Sequence, residues 1–184
     1  MFHKILTVAA VLLSALSLYA QKPVAAAVTD IEDDPANGLE MCRSLFNEYF
    51  LSELTTHAKV NMLDTASIQK SVGDLKLERG RELSEKQLKE LCRKLQTDAI
   101  CLVKMSRNAK KEIVITVKLA NRDGKKIGEV SASMKGIGDT DSVSSLLAGK
   151  CAVILRKLRG IEDAESKKDE TQSGESLPST VTEI

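Results

Sequence analysis

The chain has 184 residues, a formal net charge of +1, 42% hydrophobic residues, and only 3% aromatics with no Trp. That apolar share suffices for a packed core, and the length suits one domain with extensions. The scarcity of rings argues against carbohydrate platforms and against nucleic-acid partners, since single strands are held by stacking on aromatic side chains.

Residues 1–20 form the first recognisable unit. Lys4 supplies a positive start, Ile5–Leu18 an apolar run broken only by small or hydroxyl residues, and Tyr19-Ala20 a small-residue exit. This is the layout of a secretory signal peptide, and its apolar core is too short to span a bilayer comfortably. The expectation is an exported mature chain with no transmembrane segment. Residue 21 is Gln rather than Cys, which argues against lipid attachment at a cleaved cysteine.

Val24–Ile31 then reads VAAAVTDI, an apolar run stopped by Glu32-Asp33-Asp34-Pro35, and predicts a buried strand. A helix is expected from about Gly38 to His57, with Cys42, Leu45, Phe46, Tyr49 and Leu54 near one face. A second strand is expected over Ala58–Leu63, and Asp64 or Thr65 would cap a short helical turn through Ile68. Ser84 with Gln87 three residues later is a capping box that opens a helix to about Gln96, its apolar stripe Leu88, Leu91, Cys92 and Leu95. Ala99–Met105 predicts a third buried strand. Glu112–Ala120 and Lys126–Met134 predict two more around the turn Asn121-Arg122-Asp123-Gly124. Asp141 would cap a last helix running to Arg159, where Gly160 stops it, with Val143, Leu147, Cys151, Ile154 and Leu158 facing inward. The order β-α-β-α-β-β-β-α implies an α/β (α+β) domain over residues 21–160. Its mixed five-stranded sheet is parallel at the front and antiparallel at the back, with helices packed on it.

The remainder, 161–184, is Ser, Thr, Glu and Lys with almost nothing apolar. From Glu162 to Ile184 seven acidic residues stand against two lysines, a balance of −5 that leaves +5 on residues 21–161. Such a segment buries too little to offset its ordering entropy, so a disordered acidic tail is expected.

The apolar pattern resembles a known domain. VAAAVTDIEDDPAN (24–37), a long helix and AKVNMLDTASIQK (58–70) are similar to the opening of the α/β domain of bacterial cell-envelope proteins of the TolB amino-terminal, CsgG and LpoB kind. QTDAICLVKMSR (96–107) is similar to its next buried strand, and IVITVKLANRDGKKIGEVSAS (113–133) to the hairpin that follows. The resemblance covers roughly residues 24–158. It implies a non-enzymatic protein that binds other envelope proteins, in the periplasm, attached peripherally to the outer membrane, or secreted. The chain departs from CsgG and LpoB in lacking a lipidation cysteine. It has no membrane-spanning hairpins of about ten alternating residues, and no propeller follows as in TolB.

Four carboxylates, Asp30, Glu32, Asp33 and Asp34, gather at the carboxyl end of the first predicted strand, where open α/β sheets bind ligands. They are candidates for Mg²⁺ or Ca²⁺, hard cations that take oxygen donors. The competing reading is ordinary turn and capping chemistry around Asp-Asp-Pro. No cofactor motif accompanies them. The cysteines are Cys42, Cys92, Cys101 and Cys151; an even number in an exported chain invites disulfides, and Cys42 with Cys151 is the pairing two helices on one sheet face would allow. Against that, each lies on an apolar face, where free Cys is common. No CxxC supports redox or zinc chemistry. His57 ends the first long helix, where it favours the helix dipole, and no G-x-S-x-G elbow exists to make it a catalytic base. No catalytic residue is assigned.

Overall fold

The computed structural model describes residues 24–158; residues 1–23 and 159–184, and with them the leader, the helix stop at Arg159–Gly160 and the tail expectations, lie outside the described part. The elements are β1 (Ala25–Thr29), α1 (Glu40–Ala58), β2 (Asn61–Met62), α2 (Thr65–Asp74), α3 (Glu85–Leu95), β3 (Ala99–Arg107), β4 (Ile113–Asn121), β5 (Lys126–Met134) and α4 (Thr140–Lys157). A 3-10 turn at Ile137–Asp139 leads into α4. The sheet order is β2-β1-β3-β4-β5. β1 pairs in parallel with β2 and β3, whereas β3–β4 and β4–β5 are antiparallel. This is the expected mixed five-stranded sheet with helices against it.

The helices divide between the faces. α1 and α4 pack on each other and bury Phe46, Phe50, Leu54, Leu147, Cys151 and Leu155 against Ala26, Val28, Cys101, Val103, Ile115 and Val117. The Phe46 and Phe50 rings stack with centroids 5.1 Å apart, an arrangement that stabilises beyond area burial alone. α2 and α3 cover the other face, where Ile68, Leu88, Leu91 and Leu95 meet Ala27, Ile31, Ile100 and Leu102. Beyond α3 that second face is uncovered: Glu129, Ser131 and Ser133 of β5 are exposed there. Antiparallel strands tolerate one wet face, and their alternation shows it.

Local chemistry explains the borders. Asp64 caps α2 by accepting from the Ser67 N–H at 2.8 Å. The Ser84/Gln87 capping box is present in full, and Leu88, Leu91, Cys92 and Leu95 are all buried as their spacing predicts. Gly124, at φ +79°, closes the β4–β5 turn in the left-handed region. A Cβ there would sit 2.0 Å from the Glu85 carbonyl oxygen, so only glycine lets the turn rest on the start of α3.

Several expectations are corrected. The second strand is two residues long, not Ala58–Leu63, because Ala58 stays in α1 as a buried core residue and Lys59 ends the helix in the left-handed conformation, φ 50°. The helical turn after Asp64 is a ten-residue helix, so the element order gains a helix between β2 and β3. α4 begins at Thr140 rather than after an Asp141 cap; Asp139 precedes it and spends its Oδ2 on the Lys135 N–H at 3.0 Å. In α1 the buried ridge is Arg43, Phe46, Phe50, Leu54 and Ala58, while Tyr49 is 41% exposed. In α4, Ser144, Ala148, Ala152 and Leu155 join the buried face, and Leu158 is exposed.

Candidate functional site: a groove beside the first strand

The four carboxylates after β1 do four different things. Asp33, 3% exposed, accepts from the Met105 N–H at 2.8 Å with Oδ1, and from Arg43 Nε with Oδ2. Asn37 Nδ2 bridges Asp33 Oδ1 (3.2 Å) and the Met105 carbonyl (3.1 Å), while its own Oδ1 accepts from Arg43 at 3.0 Å. One carboxylate thus ties the end of β1 to the outgoing end of β3 and to the first turns of α1. Glu32, 2% exposed, accepts from the Leu83 N–H at 2.8 Å and meets Lys118 of β4 at 3.5 Å. It fastens the segment before α3 to the sheet. Asp34 accepts from the Ala36 N–H at 2.9 Å, a local turn bond. Asp30 lies 3.8 Å from both Arg43 and Arg79.

Buried charges are tolerated only when paired and fully hydrogen-bonded, and Glu32 and Asp33 meet that condition with internal partners. Among the described residues no three His, Cys, Asp or Glu side chains gather as a metal-binding group. The acidic run is built into the frame; Asp30 lines a cavity between α1 and α2, and Glu32 edges a smaller one beside Leu83, Leu88 and Lys118.

The larger cavity, about 670 Å³, lies between α1 and α2 at the carboxyl end of β1. Its floor is Val28 and Thr29; Arg43, Asn47 and Leu51 come from α1, Ile68, Gln69 and Val72 from α2, and Leu77 and Arg79 from the following loop. β2 creates it by being short. It pairs with β1 only at Ala25 and Ala26, and the ladder adds one more bond, Leu63 N–H to the Ala26 carbonyl at 3.0 Å, before Asp64 turns the chain into α2. The flank of β1 from Val28 to Asp30 therefore has no strand beside it, although its other side is paired with β3 through Thr29. Asn47 Oδ1 in the same wall is buried with no donor among the described residues. Leaving such an acceptor unmet costs about 1–3 kcal/mol, a local cost carried in the wall of the groove.

The other sequence candidates stand apart from the groove. All four cysteines are free thiols: Cys42 is half-buried near the start of α1, the other three are buried, and no bridge joins Cys42 to Cys151. α1 and α4 do share one sheet face, but the thiol close enough to influence Cys101 is that of Cys151. Burial pushes the Cys92 thiol up to about 11 and Cys151 up to about 12, and raises Cys101 too. Thiols held protonated this way are poor nucleophiles. His57 sits in the last turn of α1, 3.1 Å from Glu53, on the exposed surface.

Arg43, Asn47, Gln69 and Arg79 were not visible as site residues from the sequence. Arg43 left one signal: a cation three residues before Phe46 on the buried ridge, just downstream of a run of carboxylates. Arg79 left none, since it lies in a loop between helices.

No protein-family model and no curated protein sequence matches the chain. Among solved structures it is similar to the LpoB C-terminal domain from Escherichia coli, at 12% identity and a TM-score of 0.47, covering 61% of this chain and 83% of that one. The LpoB C-terminal domain from Salmonella enterica gives 14% and 0.44, with 66% and 92% covered. The lipoprotein GNA1162 from Neisseria meningitidis gives 16% and 0.39, with 77% and 100% covered. Identities this low, with TM-scores under 0.5, leave function to be argued from the groove itself. No helix among the described residues is long and apolar enough to cross a membrane.

Proposed function

We propose that the chain is an exported, non-enzymatic adaptor of the bacterial cell envelope that holds an extended segment of another envelope protein in the groove beside β1. The observation that carries this reading is the conjunction of a strand flank with no strand beside it and a 670 Å³ groove opening onto it. A peptide laid there would continue the line of β2, taking main-chain hydrogen bonds from β1 and placing alternate side chains against Leu51 and Val72. Export is supported by the layout of Met1–Ala20, and the envelope setting by the sequence resemblance over residues 24–158. On this reading residues 1–20 are the leader, 21–160 the binding domain and 161–184 an appended acidic tail. The chain works in the periplasm, free or against the outer membrane.

In-cell cross-linking followed by affinity capture tests it, with three forms compared: the intact chain, a chain lacking residues 162–184, and Ser44→Trp, which fills the groove from an exposed position of α1 that lines it. An envelope protein captured by the first two and lost from the third is the expected result. Loss on tail deletion alone would move binding to the acidic end and overturn the groove assignment.

The cavity volume also favours a second reading, a small ligand, because it lies within the range of about 300–1,000 Å³ typical of such sites. A thermal-shift screen separates the two, since a ligand that binds only the folded chain raises its midpoint. With Glu32 and Asp33 already held internally, Mg²⁺ or Ca²⁺ alone should leave the midpoint unchanged.

A further inference from the structure

β5 is the other edge of the sheet, and it is long. Its nine residues contain no proline and pair without interruption from Gly128 to Met134 after a bulge near Ile127. Long regular edges are templates for a further strand unless blunted. We infer that β5 pairs antiparallel with β5 of a second copy of this chain, about a two-fold axis at Ala132, joining two sheets into one.

Two turn bonds establish which backbone groups are free to do this. The Asn108 N–H donates to the Glu112 carbonyl at 3.0 Å across the β3–β4 turn, and the Asn121 N–H donates to the Lys125 carbonyl at 2.9 Å across the β4–β5 turn. Backbone groups alternate sides along an antiparallel strand. Even-numbered residues of β4 therefore bond to β3 and odd-numbered ones to β5. Ile113, Ile115, Val117 and Leu119 stand opposite Met134, Ala132, Val130 and Gly128, so those four residues of β5 point their backbone groups inward. Glu129, Ser131 and Ser133 point theirs outward, as does Lys135 just past the strand.

Outward residues must face outward residues, so a symmetric pairing has its axis on a residue position, and side chains choose which. An axis at Glu129 opposes like charges. An axis at Val130 or Ser131 leaves Glu129 facing a serine. With the axis at Ala132, Glu129 faces Lys135 of the other copy twice over, and Ser131 faces Ser133 twice. Opposite charges and hydroxyl pairs directly across strands are both favourable. The Lys135 N–H is already taken by Asp139, so the ladder ends there on the Lys135 carbonyl. Glu129 meets Lys126 at 2.6 Å within one chain. That ion pair is exposed and weak, and the carboxylate has room for a second cation.

The helix layer agrees with this register. α4 lies on β5 so closely that a Cβ on Gly128 would come within 2.6 Å of Ile154. α4 follows β5 through a tight turn and runs back along it. At 1.5 Å per helical residue against about 3.4 Å per strand residue, Ala132 is level with a point about nine residues before Ile154. That point is Ser145–Leu146. Leu146 is 51% exposed, an apolar side chain left in water by one chain and placed near the axis to meet its own copy in two.

Sedimentation velocity on residues 21–184 over a wide concentration series tests the inference, with circular dichroism as the folding control. A species of twice the chain mass is expected at high concentration. Glu129→Lys and Lys135→Glu should each weaken dimerisation by roughly tenfold or more, and the double reversal should restore it. Ala132→Cys should cross-link to itself on mild oxidation, whereas Glu129→Cys should not. A monomer at every concentration, a dimer indifferent to the charge reversals, or an Ala132→Cys chain that never cross-links would each overturn it.

Discussion

The two ends of the sheet handle unpaired backbone in opposite ways. At the β2 end the edge strand is two residues long, and the carboxyl end of β1 beside it is held by charges: Asp33 with Arg43 in the interior, and nearby Asp74 of α2 with Lys94 of α3 at the surface. At the β5 end the edge strand is nine residues long, and α4 secures it with apolar packing over Gly128, Val130 and Ala132. The first arrangement leaves a groove of defined chemistry, suited to a guest with its own sequence. The second leaves a regular edge whose charges match a copy of itself. On the two proposals above, the short edge takes a foreign segment and the long edge takes a second copy of the chain.

The sharpest way to break this contrast is to remove its principal ion pair. Arg43→Ala leaves the Asp33 carboxylate buried without its cation, and should cost about 3–5 kcal/mol in urea unfolding. Ser133→Lys on the outer face of β5 should stay within about 0.5 kcal/mol for the single chain. Equal costs would erase the distinction. Next in size is Gly124→Ala, where a left-handed φ and a clash with the Glu85 carbonyl together should cost about 2–4 kcal/mol. It loosens the seam between α3 and the β4–β5 turn without touching either edge.

The pH dependence sharpens the comparison further. Burial raises the thiols of Cys151 and Cys92 from the ordinary 9.0 to about 12 and about 11. Between those limits the unfolded chain releases protons that the folded chain keeps. Stability therefore falls as pH rises above 9, by about 1.4 kcal/mol per pH unit for each thiol still protonated in the fold. Cys151→Ala should flatten that slope measurably in urea titrations at pH 9 and above. At the acid end the smallest effects appear. Hydrogen bonds from Ser67 hold the Asp64 carboxyl below its usual range, Lys94 does so for Asp74, and Lys118 for Glu82. Depressed carboxyl groups stabilise above the ordinary carboxylate range, and that contribution is lost as pH falls through their lowered values. Amide protection in α2, taken relative to the intrinsic exchange rate at each pH, should accordingly fall on acidification before that in α4.

What was readable in the sequence was local. Ser84 and Gln87 announce α3 because a capping box closes within four residues, and Asn121–Gly124 announces its turn because only glycine suits that φ. α1 was misread where tertiary context decided. Arg43 looks like a surface residue until Asp33 and Asn37 arrive from another segment, and Phe50 rather than Tyr49 turns inward because the ridge runs from Arg43 to Ala58. The groove was not legible at all, since it exists only because β2 stops two residues after it starts. Asp64 prefers to cap a helix, and that preference leaves the flank of β1 open. The acidic run that drew attention as a site is instead the frame around it.

The proposed docking of a partner in the groove beside β1 can be tested in living cells. The most direct test places a photo-cross-linking residue at Gln69, on the groove wall, and separately at Lys89, on the exposed side of α3, and irradiates living cells. A discrete adduct with one envelope protein is expected from position 69, unchanged when residues 162–184 are deleted and abolished by Ser44→Trp. Adducts of equal yield from both positions, or none from position 69 while the intact chain still captures its partner, would contradict it.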